Sequence, residues 1–68
     1  MGYYVNLVSS MVRHYYEFWC TDVNGKEYHE RFTYSSTKDS MIRAHIEKVF
    51  KLDIGTCIDF MYRRNREA

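Results

Sequence analysis

The sequence has no proline, three glycines and two cysteines in 68 residues, and its formal net charge is only +1. Each shortage excludes something. With no proline and no low-complexity run, nothing marks a disordered segment. The near-zero net charge gives no whole-chain field of either sign, which argues against an acidic mimic of DNA and against a generic polycation. Cys20 and Cys57 form no CxxC motif and have no histidine at zinc-ligand spacing, so neither a metal site nor a cofactor is expected. Two reduced thiols in a cytosolic chain are the default, and a Cys20–Cys57 disulfide is the second reading. No apolar run approaches about 18 residues, so no membrane span is expected. The opening MGYYVNLV lacks the charged region and cleavage site of a signal peptide, and Asn6 stands where a myristoylation motif needs Ser or Thr. The expected location is cytoplasmic.

What the chain does have is aromatic: seven Tyr, four Phe and Trp19. Aromatics bury much area with few rotors, which matters in one domain near the lower size limit for independent folding. Ordering 68 residues costs roughly 100 kcal/mol. Burying about 4,000 Å² of apolar surface at about 25 cal/mol per Å² offsets about the same amount. The margin is small, and a dimer or a partner would add to it.

The stretch from His14 to Tyr34, HYYEFWCTDVNGKEYHERFTY, reads as one β-hairpin turning at Asn24-Gly25. If the loop is Asn24-Gly25 alone, apolar and charged residues mix on both faces. If it is Val23-Asn24-Gly25, a type I turn with Gly25 in the left-handed bulge position, the faces separate. One then carries Tyr16, Phe18, Cys20, Tyr28, Phe32 and Tyr34, with Glu30 intruding. The other carries Tyr15, Glu17, Trp19, Thr21, Glu27, His29, Arg31 and Thr33. A slip of one residue exchanges every side chain between faces, so the clean partition selects the three-residue loop.

Before the hairpin, Tyr3 to Val8 reads as a strand, with Ser9-Ser10 either a turn or a bulge. After it, Ser36-Thr37-Lys38-Asp39 offers hydroxyl caps and an acidic first turn to a helix over about 37–52. Met41, Ile42, His45, Ile46, Val49, Phe50 and Leu52 fall on its apolar side. Asp39, Arg43, Glu47 and Lys51 recur at every fourth position as a solvated ladder of alternating sign. Gly55 permits the chain to reverse. A last strand runs over about 56–62, with Ile58, Phe60 and Tyr62 facing the helix, and a basic tail covers 63–68. The expected class is α+β: an antiparallel sheet of three to four strands with one helix on one face, in the order β-(β)-β-α-β, forming a single domain over 1–68.

One helix covers one sheet face. The other presents Tyr15, Glu17, Trp19, His29 and Arg31, and Trp, Tyr and Arg are the residue types enriched at binding hot spots. The bland alternative is that the N-terminal segment folds over Trp19 and makes it core. His14, His29 and His45 do not converge, and His45 reads as a core-edge histidine. No nucleophile is placed beside a base, so no enzyme activity is expected.

Arg13, Arg63, Arg64 and Arg66 could contact phosphate, although arginines at a chain end are more often a solvated terminus. WCTDVNGKEYHERF followed by STKDSMIRAHIEK, about half the chain, loosely resembles the AP2-like arm-binding domains of phage-type integrases. The resemblance implies a sheet that enters the major groove of DNA. This chain departs from that pattern in its extra strands at both ends and in the carboxylates Glu17, Glu27 and Glu30, which would repel phosphate.

The reading favoured by the residues is a small non-catalytic module that binds another protein. By genre rather than by motif, it suits an accessory protein of a bacteriophage or mobile element, inhibiting a host protein or defence system by steric occupation. A homodimer through the same face or an exposed edge strand is compatible with this. Nucleic acid is the alternative partner, through the hairpin sheet and the C-terminal arginines.

Overall fold

The structure is a computed structural model and describes residues 12–66. The expected strand at 3–8 and the Ser9-Ser10 question lie outside the described residues, as does any cover that the N-terminal segment gives Trp19. Three strands and one helix build the rest. They are β1 (His14–Thr21), β2 (Glu27–Tyr34), the helix α1 (Asp39–Phe50), a 3-10 turn (Ile54–Thr56) and β3 (Asp59–Asn65). The sheet order is β2-β1-β3 and both pairings are antiparallel. The class is α+β.

The hairpin closes through the three-residue loop. Thr21 faces Glu27, Tyr16 faces Phe32 and His14 faces Tyr34. The Gly25 N–H donates to the Asp22 carbonyl at 2.9 Å and the Asp22 N–H donates to the Lys26 carbonyl at 2.9 Å. Asp22 completes the turn, because its Oδ1 accepts from the backbone N–H of Asn24 and of Lys26, each at 2.9 Å. Gly25 sits at φ +85°, the left-handed region where a side chain is strained. Local turn chemistry and face alternation agree, which is why one register wins.

Strand β1 is central, so its inward side chains meet neighbours on both flanks and on the helix. Tyr16, Phe18 and Cys20 are buried with Ile42 and Ile46 of α1. Around them lie Phe32 of β2, Phe50 and Leu52 at the helix end, and Phe60 and Tyr62 of β3. Phe18 touches three other rings, Phe32 at 6.2 Å, Phe50 at 5.0 Å and Phe60 at 6.1 Å. His45 stacks on Tyr34 with ring centres 4.1 Å apart, and burial lowers its pKa, keeping it neutral at the core edge.

Several expectations change in detail. The helix spans Asp39–Phe50 rather than 37–52, and Lys38 precedes it with no side-chain cap. The Ser36 hydroxyl is used one step earlier, accepting from the Lys38 N–H at 3.0 Å. Met41 and Val49 are exposed, because the contact with a narrow three-stranded sheet takes only the Ile42–Ile46–Phe50 stripe and the His45 flank. The residue that reverses the chain is Lys51, in the left-handed conformation at φ 56°, with its N–H donating to the Glu47 carbonyl. Gly55 lies inside the 3-10 turn instead. The charged ladder is not simply solvated. Asp39 pairs with Arg43 at 3.0 Å and accepts from the Tyr62 hydroxyl at 2.5 Å, while Glu47 accepts from the Ile54 N–H at 2.9 Å and holds the loop.

The last strand also moves. It runs over Asp59–Asn65 rather than 56–62, because residues 54–56 coil into the 3-10 turn. The Asp53 side chain accepts from the Gly55 N–H there, and the Thr56 N–H donates to the Asp53 carbonyl. Ile58 was expected on the helix side and is 68% exposed, since it lies in the bend before pairing begins. Arg63 and Arg64 therefore belong to β3 and not to a loose tail.

Candidate functional site

Among the described residues, no element packs on the sheet face opposite α1. Pairing and alternation assign four rows across it. Thr33, Tyr15 and Asn65 form the first row, and Arg31, Glu17 and Arg63 the second. His29, Trp19 and Met61 form the third, and Glu27, Thr21 and Asp59 the last, beside the turn. The five residues expected to bind a partner, Tyr15, Glu17, Trp19, His29 and Arg31, thus share one face. Sequence reasoning missed Met61 and Asn65, and it named Arg63 as a phosphate contact in a basic tail rather than as part of this face. The signal was available: alternation of Phe60, Tyr62 and Arg64 with Met61, Arg63 and Asn65 continues past Tyr62, where the strand was ended.

Glu17 is the surprise. It was expected on an open polar face, and it is 2% exposed. A carboxylate is tolerated there only because each of its oxygens finds a donor. Arg63 donates from Nε to Glu17 Oε1 at 3.2 Å, its Nη2 lies 3.2 Å from the same oxygen, and Asn65 Nδ2 reaches it at 3.5 Å. His29 Nε2 bonds the other oxygen, Oε2, and Arg31 Nε lies 3.6 Å from it. Among the described residues no buried side-chain polar atom lacks a partner. The hydrogen bond from His29, with Asn65 and the charges of Arg31 and Arg63 behind it, outweighs burial and holds the Glu17 carboxyl down at about 2.

This has a pH consequence. A carboxyl whose folded pKa lies below its ordinary value of 4.5 adds stability that is complete above that value. The contribution is lost as pH falls from there through about 2. The melting temperature should therefore be level from neutral pH down to about 5 and fall steeply below it. Glu17→Gln should flatten that fall. Asp39, lowered chiefly by the Tyr62 hydroxyl, adds a smaller slope in the same window, so Asp39→Asn is the control. Thermal melts of the three proteins between neutral pH and pH 2 check this, and an unchanged slope in Glu17→Gln would contradict it.

Glu17 also positions its neighbours. His29, fixed by Glu17, stacks on Trp19 with ring centres 4.9 Å apart and planes 14° apart. The Arg63 guanidinium, fixed by the same carboxylate, lies 5.5 Å from the Trp19 ring centre. Trp19 is half-buried and held from two directions, while Met61 beside it and Tyr15 two rows away are exposed. Beyond Thr33, Arg13 donates from Nε to the Thr33 hydroxyl at 3.1 Å and from Nη2 to its carbonyl at 3.0 Å. The face thus has a cationic end with Arg13, Arg31 and Arg63. It has an aromatic middle and an acidic end with Glu27 and Asp59.

The arginines nominated for phosphate contact do not form one patch. Arg13 and Arg63 border the helix-free face. Arg64 alternates to the other side of β3 and donates from Nη2 to His14 Nδ1 at 2.9 Å. Arg66 lies just beyond the strand. Among the described residues no group of three or more His, Cys, Asp or Glu side chains is arranged to hold a metal ion, and no helix is long and apolar enough to cross a membrane. The Glu17–His29 pair has the look of an oriented base. Among the described residues, His29 has no side-chain hydrogen bond besides the one to Glu17, and Cys20 lies on the opposite face of the sheet. Comparison with protein-family models, with curated proteins and with solved structures finds no match for this chain.

Proposed function

We propose that the helix-free face of the sheet binds another protein, and that the chain is a non-catalytic cytoplasmic module acting by occupying its partner's surface. The occupant fits a segment that carries carboxylates opposite Arg31 and Arg63 and an apolar or aromatic side chain against Trp19 and Met61. One observation carries the reading: Trp19 is held in place by His29 and Arg63 on a face that no described element covers. A large aromatic fixed before binding loses little entropy when a partner arrives. Trp and Arg are among the residue types enriched at binding hot spots. Inhibition of a host protein by an accessory protein of a bacteriophage or mobile element is the setting this mode of action fits.

Nucleic acid is the second reading, and one observation favours it. Glu17, counted above as a repulsive carboxylate, is buried and neutralised, and Glu30 stands on the other face. The two readings separate experimentally. Affinity capture with the wild-type chain, Trp19→Ala and Arg31→Glu should retain a defined protein only with the wild type. Nuclease treatment and Arg64→Ala/Arg66→Ala should leave that capture unchanged. Capture abolished by nuclease, with a steep salt dependence, would favour nucleic acid. Capture unaffected by Trp19→Ala would place binding elsewhere.

A further inference from the structure

Cys20 and Cys57 are the only cysteines in the chain. They are 37 positions apart in sequence, and the fold brings their Sγ atoms to 2.9 Å. Cys20 is buried in the middle of the central strand, on the side facing α1, and Cys57 is half-buried between the 3-10 turn and β3. The backbone on both sides of the pair is fixed. The Cys57 N–H donates to the Ile54 carbonyl at 3.1 Å, and the Ile58 N–H donates to the carbonyl of Thr21, next to Cys20, at 2.9 Å. The sulfurs meet where two paired segments join, not at the end of a loose loop.

We propose that Cys20 and Cys57 are a redox-active dithiol that closes to an intramolecular disulfide, with a low-molecular-weight disulfide such as glutathione disulfide as the oxidant. The proposal is independent of what the helix-free face binds. Cys57, the more exposed sulfur, reacts first. Its thiolate attacks one sulfur of glutathione disulfide, and the S–S bond of glutathione disulfide breaks. One glutathione thiolate leaves and takes up a proton, and Cys57 carries the other glutathione as a mixed disulfide. The Cys20 sulfur then gives up its proton and attacks Cys57 Sγ, breaking the mixed disulfide and releasing the second glutathione. In balance, the two protein thiols lose two electrons and two protons, and one glutathione disulfide becomes two glutathione thiols.

Geometry favours the second step. A disulfide bond is about 2.05 Å long, so closure from 2.9 Å needs a movement of about 0.9 Å. Burial supports the order of events. It pushes the Cys20 thiol up to about 12, helped by the Cys57 thiol and the charges of Asp22 and Asp59, so Cys20 is a poor first nucleophile. Once Cys57 carries a leaving thiol, proximity replaces reactivity. The bond ties the central strand to the entrance of β3 and closes a loop containing β2 and α1. A loop of that size restricts the unfolded chain enough to raise the melting temperature by roughly 20 °C. In a reducing compartment the pair stays open.

The test uses the full-length wild-type chain. It is equilibrated in glutathione buffers from fully reduced to strongly oxidising, quenched with an alkylating agent, and read by intact mass and thermal melting. The expected product under oxidation is a monomer lighter by two hydrogen atoms, unalkylated, with the Cys20 and Cys57 peptides linked on mapping. Its melting temperature is higher by roughly 20 °C, and the shift is lost on reduction. Cys57→Ser should melt like the reduced wild type and not respond to the buffer. Double alkylation at every ratio, a persistent mixed disulfide with glutathione, or a disulfide-linked dimer would each overturn the proposal. So would a melting shift on oxidation that survives in Cys57→Ser.

Discussion

Phe18→Ala is expected to cost about 4 kcal/mol, the range for deleting a fully buried aromatic ring. Phe18 is 0% exposed. Its ring meets Phe32 on β2, Phe50 on α1 and Phe60 on β3, so a single cavity would loosen both sheet edges and the helix together. At about 0.1 kcal/mol per residue a domain of this size holds roughly 7 kcal/mol in all, and the substitution removes more than half of it. The melting temperature should fall by roughly 20 °C, and urea unfolding should show the same loss at an unchanged slope. Ile46→Ala, equally buried, should cost about 3 kcal/mol. A loss under about 1 kcal/mol for Phe18→Ala would mean that α1 is not seated on the sheet as described.

Trp19→Ala should behave in the opposite way, sparing the fold and removing binding. Trp19 is partly exposed on the helix-free face, so truncation costs about 2 kcal/mol of stability, about half the loss expected for Phe18. A hot-spot tryptophan contributes about 2 kcal/mol or more to binding, which weakens the dissociation constant by at least ~30-fold. Arg31 is the cleaner electrostatic probe. Its side chain is 71% exposed and sits 3.6 Å from Glu17, so Arg31→Ala should weaken binding with little change in melting. Arg63→Ala mixes two effects, because it also takes the closest charged partner from a buried carboxylate. A titration of the captured partner against the three variants checks this ranking. Equal binding by Trp19→Ala and wild type would remove the hot spot.

The hairpin was legible because its information is local. Asn24-Gly25 demanded a tight turn, the face partition chose between two registers, and Asp22 stabilises the chosen one with four hydrogen bonds from its side chain and backbone. The helix stripe was legible for the same reason, apart from its shoulders at Met41 and Val49. Glu17 was not legible. Placing it on the helix-free face needed only alternation, whereas seeing it buried needed β3 beside β1, since Arg63 and Asn65 supply half of its donors. No local pattern encodes that neighbour. Residues 54–58 failed for a related reason. Side-chain and backbone bonds around Asp53 coil a segment whose composition looked extended, which swings Ile58 outward and brings Cys57 to Cys20. Lys51 in a left-handed conformation, with a glycine four residues further on, shows packing overriding a terminus preference.

The central claim is that Trp19 stands on a face available to a partner. It is tested most directly by iodide quenching of tryptophan fluorescence in the native chain, across a wide range of protein concentration. Trp19 is the only tryptophan, so the signal reports one site. The account predicts ready quenching, aided by Arg31 and Arg63, with the same quenching constant at every concentration. A tryptophan protected at all concentrations would make it core and contradict the account. Protection that disappears on dilution would assign the face to a second copy of this chain.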